Sequence, residues 1–250
     1  MGKTLAVILN HNRREYTDRV YRMVAPYAKD QYDVVVLDNG STDTSEVSQY
    51  TMYQSETNCY FGGGFNLAMQ LMQQNEQYDS MLFMSNDIIL HGYNYISKLR
   101  SIMFDEDYAV VASSVTQPEE GQCFWKQMHN WGASKTRTVK WVDFMCPLIR
   151  RDVLDTIGQY DMDLVYGWGL DIYTGVVCED KGWKTGVTDT LSLIHFSAQT
   201  VKDNKANLTM SDYARNAESG MYGFFGKINR MNDLERMRHF GMTYQYTGSI

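Results

Sequence analysis

Met81-Leu82-Phe83-Met84 is an apolar run of strand length that stops abruptly at Ser85-Asn86-Asp87, after which Ile88-Ile89-Leu90 resumes at once. A run without a polar residue of its own must be covered on both faces, as a central strand of a parallel sheet is. Two further runs share the design: Leu5–Leu9 ends at Asn10, and Val34–Leu37 ends at Asp38. Helical patterns fall between them. Asp18–Ala28 carries apolar residues at Val20, Met23, Val24 and Tyr27, and Asn58–Asn66 opens a second helix that runs to about Gln74. Ser41 and Thr42 are suited to cap a helix after the second strand, and a short strand is expected near Thr51–Gln54. Strand-helix alternation of this kind predicts an α/β fold: a Rossmann-like, mostly parallel central sheet flanked by helices.

The second half loses that rhythm. Val110–Ala112, Thr138–Phe144 and Leu191–Ile194 read as strands and Arg151–Ile157 as a short helix, so a mixed half is expected there. Helical patches at Ser211–Ser219 and Asp233–Phe240, joined by the glycine-rich Gly220–Gly226, predict a helical C-terminal tail that serves as lid, acceptor platform or interface. With 250 residues and nothing resembling a linker, one domain over 1–250 is expected, divided into 1–105, 106–200 and a 201–250 extension.

Several function classes are disfavoured. The first strand-helix turn, Asn10-His11-Asn12-Arg13, lacks the glycines that admit a dinucleotide pyrophosphate, and no Walker-type phosphate loop occurs. The formal net charge of −7 opposes a nonspecific grip on nucleic acid or anionic membrane. Local basic clusters remain at Lys126, Lys135, Arg137 and Lys140, and at Lys227, Arg230, Arg236, Arg238 and His239. Five apolar residues before Asn10 are too few for a signal-peptide core or a membrane span, so a soluble, cytoplasmic protein is expected. Four dispersed cysteines without a Cys-x-x-Cys pair are expected to be reduced, and the sequons at Asn39 and Asn207 carry little weight without a secretory signal.

The polar ends of the apolar runs carry the chemistry. A carboxylate fixed at the C-terminal end of a central strand is placed to hold a divalent metal and its phosphates, which makes Asp87 the metal candidate. His195, at the end of Leu191–Ile194, would complete a Mn²⁺ or Mg²⁺ site if it meets Asp87 in space. Asp38, beside a glycine turn, is placed either to bind a nucleobase or ribose or to shape the turn itself. Gly62–Gly64 either lets backbone approach a nucleotide or permits a tight turn. Tyr166-Gly167-Trp168-Gly169-Leu170-Asp171 sets an aromatic wall beside an acid, so that Trp168 could stack on a sugar while Asp171 acts as general base. A helix N-cap is the alternative use of Asp171.

In order along the chain, Leu5–Asn10, Val34–Asp43, Asn58–Asn66, Ser85–Asp87, Leu148–Gly158, the Trp-Gly-Leu-Asp around Asp171, Gly182–Lys184 and His195 resemble the family-2 glycosyltransferases. The resemblance covers about residues 4–200 and implies the GT-A fold. It implies an inverting transfer from a nucleoside-diphosphate sugar, most often a UDP-sugar, to an acceptor hydroxyl, with Mn²⁺ or Mg²⁺ as cofactor. Donor contacts would fall on Asn10, Asp38, Gly63, Asn66, Asn86 and Trp168, the metal on Asp87 and His195, and the base on Asp171. The sequence departs from the family at Ser85, where an acid is usual, and at Trp168-Gly169, where the Glu-Asp pair is usual. Glu179 and Asp180 are fallback bases. A saccharide is the expected acceptor. The alternatives are a hydroxymethylated cytosine in phage DNA, a nucleotide- or sugar-binding protein that keeps the fold without the chemistry, and a nucleotidyltransferase.

Overall fold

The structure is a computed structural model that describes residues 2–28, 30–116, 123–196 and 209–248. Asn207 and the start of the C-terminal extension, 201–208, lie outside these residues. Nine strands form one sheet in the order β3-β2-β1-β4-β8-β6-β9-β5, with β7 paired to β9.

Strands β1 (Lys3–Asn10), β2 (Tyr32–Asp38), β3 (Thr51–Gln54) and β4 (Tyr78–Met84) form the first half and run parallel. Their apolar runs are what the sheet centre demands: Ala6, Val7, Ile8, Met81, Leu82, Phe83 and Met84 are all fully buried. Burying each large side chain contributes about 1.5–3 kcal/mol. The polar residues that follow are thereby carried on rigid backbone. Register sets them level, with Asn10 opposite Asp38 and Ile8 opposite Met84.

Helix α1 (Arg14–Val24) covers this half with Thr17, Val20 and Val24 buried along one stripe. Helix α2 (Tyr60–Gln73) presents Phe65, Ala68, Met69 and Met72 to the core. Its first turn needs its glycines for packing. A Cβ on Gly62 would stand 2.4 Å from the Leu164 carbonyl oxygen, and one on Gly64 would stand 2.7 Å from Leu9 Cδ1. The glycines lie within the helix and not in a tight turn, and both contacts are of close packing.

The second half curls. Strand β8 (Leu148–Arg150) is antiparallel to β4 and to β6 (Tyr108–Val115), whereas β6 is parallel to the long β9 (Lys184–His195). The first part of β9 pairs with β7 (Thr136–Val139) and its last part with β5 (Ile88–His91), both antiparallel. Between them the register with β6 jumps, from Ser113 opposite Thr188 to Ser114 opposite Ser192. Asp189 in this bulge is buried on Arg137 at 2.9 Å and accepts the Trp131 and Ala133 amides. Arg137 is therefore a buried structural cation, not part of a basic surface.

The remaining helices are α3 (Tyr95–Asp105), α4 (Arg151–Ile157), α5 (Leu170–Asp180), α6 (Met210–Lys227) and α7 (Met231–Thr243). Four local expectations change. No α-helix follows β2; a 3₁₀ turn at Thr44–Glu46 takes its place, capped by Asp43 through the Ser45 amide. Helix α1 begins four residues before Asp18, because Arg14–Thr17 add a turn with only Thr17 inward. The Thr138–Phe144 strand ends at Val139, and Met145–Pro147 continue the β8 register alongside β4, the Met145 and Pro147 carbonyls accepting the Ser85 and Phe83 amides. Gly220–Gly226 continues α6 instead of breaking it, since Met221, Phe224 and Phe225 bury one face of that stretch. Among the described residues no helix is long and apolar enough to cross a membrane.

Candidate functional site

The C-terminal ends of β1, β2 and β4 share one edge of the sheet. Asn10 and Asp38 are fully buried there and face each other: Asn10 Nδ2 donates to Asp38 Oδ2 at 2.7 Å. Asp38 also accepts the Ser41 amide at 2.9 Å and the Ser41 hydroxyl at 2.7 Å. Thr17 donates to Asn10 Oδ1 at 2.6 Å and receives Asn86 Nδ2 at 3.0 Å. One chain of hydrogen bonds thus runs from Asp38 through Asn10 and Thr17 to Asn86, across the three strand ends. Asp38→Ala should cost about 1.5–3 kcal/mol, because it removes a charged acceptor and strands Asn10 and Ser41; a urea titration of both proteins reads it directly.

Above this floor an asparagine-rich rim escaped the sequence reading. Asn12 Oδ1 accepts the Thr42 amide at 2.9 Å, and Asn39 Nδ2 donates to the Tyr60 carbonyl at 2.8 Å. His11 sits between them. Its Nδ1 faces the Asn39 carbonyl at 3.0 Å and so must carry the proton, leaving Nε2 to accept from Asn58 Nδ2 at 3.2 Å. Burial lowers the His11 pKa, against the opposing pull of that carbonyl and of Asp38. The signal for this rim was present in the run of asparagines at 10, 12, 39 and 58, each next to a strand end or helix start.

Asn66 is a clamp. Its amide donates to the Tyr160 carbonyl and accepts the Tyr160 amide, both at 2.9 Å, tying α2 to the segment before α5. Gly63 lies buried in the same helix turn, within reach of Cys59.

Asp87 and His195 do meet. The β5–β9 pairing places His195 opposite Ile88, and His195 Nε2 stands 3.2 Å from Asp87 Oδ1. Among the described residues no group of three or more His, Cys, Asp or Glu side chains is arranged to hold a metal ion. The pair nonetheless fits two adjacent positions on one ion, since ligands about 2.1 Å from a small divalent cation and at right angles stand about 3 Å apart. A carboxylate with an imidazole suits Mn²⁺, whose remaining positions diphosphate oxygens and water can fill.

Asp143 is the residue that sequence reasoning missed. It lies two residues before Met145, whose carbonyl accepts the Ser85 amide just past β4, and its carboxyl is pushed up by burial while the nearby His195 pulls it down. Asp171 lies in the first turn of α5, half-buried, after a loop in which Gly167 and Gly169 take positive φ. Burial raises its carboxyl well above the usual range, the charge of Asp143 adds to this, and the backbone amides at the helix start oppose it. Tyr213 of α6 is pushed up to about 12 by burial, then by Asp87, Asp143 and Tyr166. Asp143 thus lies close enough to act on His195, Asp171 and Tyr213, and Tyr213 is also within reach of Asp87.

Trp168 is 40% exposed, Tyr60 and Tyr166 have ring centroids 4.8 Å apart, and the Tyr213 hydroxyl donates to the Tyr166 carbonyl at 2.9 Å. The C-terminal tail is thereby docked on the loop that carries Trp168. Glu179 and Asp180 sit elsewhere, at the far end of α5. Arg236 holds Glu179 below the usual carboxylate range and Arg230 does the same to Asp180, so neither is a poised base. Lys140 also pairs with Glu179, Lys227 with Asp161, and Arg238 lies near Glu218. The two basic clusters adjoin, but carboxylates neutralise most of their charge.

A family described as "Protein of unknown function (DUF707)" matches residues 105–222, less than half of the chain. No curated protein matches it in sequence. Similar solved structures include GalNAc-T7 with UDP, GalNAc and Mn²⁺, at a TM-score of 0.62 and 12% identity over 87% of this chain and 48% of that one. The chain thus spans about half of the GalNAc-T7 chain. The mannosyltransferase PcManGT from Pyrobaculum calidifontis, in complex with GDP-Man and Mn²⁺, gives 0.55 at 11% identity over 98% of this chain and 76% of its own. TarS 1-349 of S. aureus gives 0.54 at 15% identity, over 97% and 75%. At such identities the likeness speaks for architecture, and that architecture is the GT-A fold of glycosyltransferases.

Proposed function

We propose that the chain is an inverting glycosyltransferase that moves a sugar from a UDP-sugar to the hydroxyl of a saccharide acceptor. The supporting observation is the meeting of Asp87 and His195, 3.2 Å apart, beyond the C-terminal end of β4 in a GT-A fold, with Asp143 close enough to act on both His195 and Asp171. Open α/β sheets bind ligands at that end of their strands.

Asn10 and Asp38 act on the donor through the Ser41 turn that they hold, with Asn86 tied to the same network. Gly63 and Asn66 fix the start of α2 as the donor's other boundary, and Trp168 is the platform for a sugar ring. Asp171 takes the acceptor hydroxyl proton as that oxygen bonds to the anomeric carbon. The bond from this carbon to the diphosphate oxygen breaks with its electron pair, and the nucleoside diphosphate leaves from the opposite face. Asp143 matters because its charge raises the proton affinity of Asp171 toward the range a base needs. Asp87 and His195 would hold Mn²⁺ or Mg²⁺, which when bound neutralises charge developing on the diphosphate. A saccharide is favoured over DNA because the basic clusters that would track phosphates are neutralised.

The test is incubation with UDP-, GDP- and TDP-sugars, Mn²⁺, and pools of saccharides or hydroxymethylated DNA. Acceptor-dependent UDP release, with inverted anomeric configuration by NMR, is the expected result. Donor binding without acceptor-dependent release from any pool would leave a nucleotide-sugar-binding protein, and retained configuration would refute inversion.

A further inference from the structure

We propose that a cleft on the outer side of α1 is a second site for phosphate groups, separate from the donor. The cleft has a volume of about 860 Å³; Arg14, Arg19 and Arg22 line it from α1, Arg13 from the residue before that helix, and Ser45 and Gln49 from the segment after β2. None of the residues assigned above to donor, metal or base lines it.

Its carboxylates are mostly engaged within the fold. Asp18 is buried, accepts the Ser48 hydroxyl at 2.5 Å and lies 3.6 Å from Arg14 Nε, while Glu46 accepts the Arg14 amide at 3.2 Å. Glu15 is exposed in the first turn of α1, where the helix dipole favours an acid. Arg19 and Arg22 have no carboxylate partner among the described residues.

Arg19 is nevertheless held in position. Its guanidinium carbon lies 4.8 Å from the Tyr16 ring centroid and 5.4 Å from that of Phe196, and Nη2 donates to the Ile88 carbonyl at 3.4 Å. The two rings pack edge to face at 6.5 Å. Aromatic faces restrain a guanidinium without neutralising its charge, so the ordering cost is met before a ligand arrives. Arg22 follows three residues later on the same helix face, a spacing of about 5–6 Å between Cβ atoms. Two such guanidinium forks suit one phosphate gripped from both sides or two adjacent phosphates. In a chain of net charge −7, this pair of cations without carboxylate partners stands out as a place for a ligand that brings fixed negative charge.

The phosphates could belong to a small phosphate ester or to a phosphodiester chain, and two probes separate these sources. Inorganic tripolyphosphate and a single-stranded oligothymidylate are titrated calorimetrically into the full chain without metal, for wild type, Arg22→Gln and the double variant Arg19→Gln/Arg22→Gln. Thermal midpoints are measured alongside, and UDP with Mn²⁺ is titrated separately as the readout of the donor site. Tripolyphosphate is expected to bind wild type, about tenfold more weakly to Arg22→Gln and about a hundredfold more weakly to the double variant, with UDP binding unchanged. Raising the salt should weaken it further. Tighter binding of the oligonucleotide with the same dependence on Arg19 and Arg22 assigns the cleft to a phosphodiester chain, and weaker binding assigns it to small phosphates. Absence of tripolyphosphate binding to wild type, equal affinity in folded variants, or full competition by UDP would overturn the proposal. A failed UDP titration with intact tripolyphosphate binding would count against the donor reading alone.

Discussion

Asp171→Asn is expected to lower turnover by about 10²–10⁴-fold while raising the thermal midpoint of the protein. The first effect follows from the loss of a proton acceptor at unchanged shape. The second follows from the environment of the Asp171 carboxyl. Burial and the neighbouring Asp143 raise its carboxyl well above the usual range, so the folded state holds the proton more tightly than the unfolded chain. An unfolded aspartate releases its proton near pH 4, and stability is therefore lost as pH rises from there through the raised folded value. Asparagine removes that penalty. The midpoint gain should be absent below about pH 4, grow through this window and then level off, whereas wild-type activity should rise with pH over the upper part of the same window. Calorimetric melts across pH, paired with initial rates, check both. Full activity in the variant would dismiss Asp171 as the base, and an unchanged midpoint at neutral pH would contradict the proposed electrostatic setting.

The parallel half was legible because its signal is local. Leu5–Leu9, Val34–Leu37 and Met81–Met84 each need cover on both faces, and each became a buried strand; the first two end in Asn10 and Asp38 as expected, whereas the third ends at Met84 and leaves Asp87 just before β5. Helix α3 and strand β5 were not resolved as elements: Ile88-Ile89-Leu90 is too short to declare its partner, and its pairing with β9 joins residues about a hundred apart. Gly220–Gly226 misled for a related reason, since its glycines weaken a helix in isolation while burial of Met221, Phe224 and Phe225 stabilises this one. Thr138–Phe144 has strand composition, yet only its first two residues find a partner strand, Thr138 opposite Gly186 and Val139 opposite Thr185 of β9.

The site divides in the same way. Asp87 and His195 were both visible as strand ends, and only the antiparallel β5–β9 register brings them together. Asp143 carries no motif. Its one mark is to be the lone carboxylate in Trp141–Leu148, a run whose other residues are apolar, and a buried acid of that kind calls for a neighbour of opposite or shared charge. Asp38 and Asn10 were recognisable by position, but that they would turn toward each other follows from the parallel register of β1 and β2.

Asp87→Ala is the second large effect, and it tests the central claim, a metal-dependent nucleoside-diphosphate site at the end of β4. Removing one of two candidate protein ligands leaves His195 alone, which is too little to hold a hard divalent ion against water. The decisive measurement is a thermal melt of wild type and Asp87→Ala with UDP, GDP or TDP, each with and without Mn²⁺. Nucleotide at about 100 times its dissociation constant adds roughly 2.7 kcal/mol, or about 5–10 °C for a protein of this size. Such a shift is expected for wild type with UDP and Mn²⁺ together, a much smaller one without the metal, and none in Asp87→Ala. No shift with any nucleotide, or an equal shift in Asp87→Ala, would contradict a metal-dependent site there.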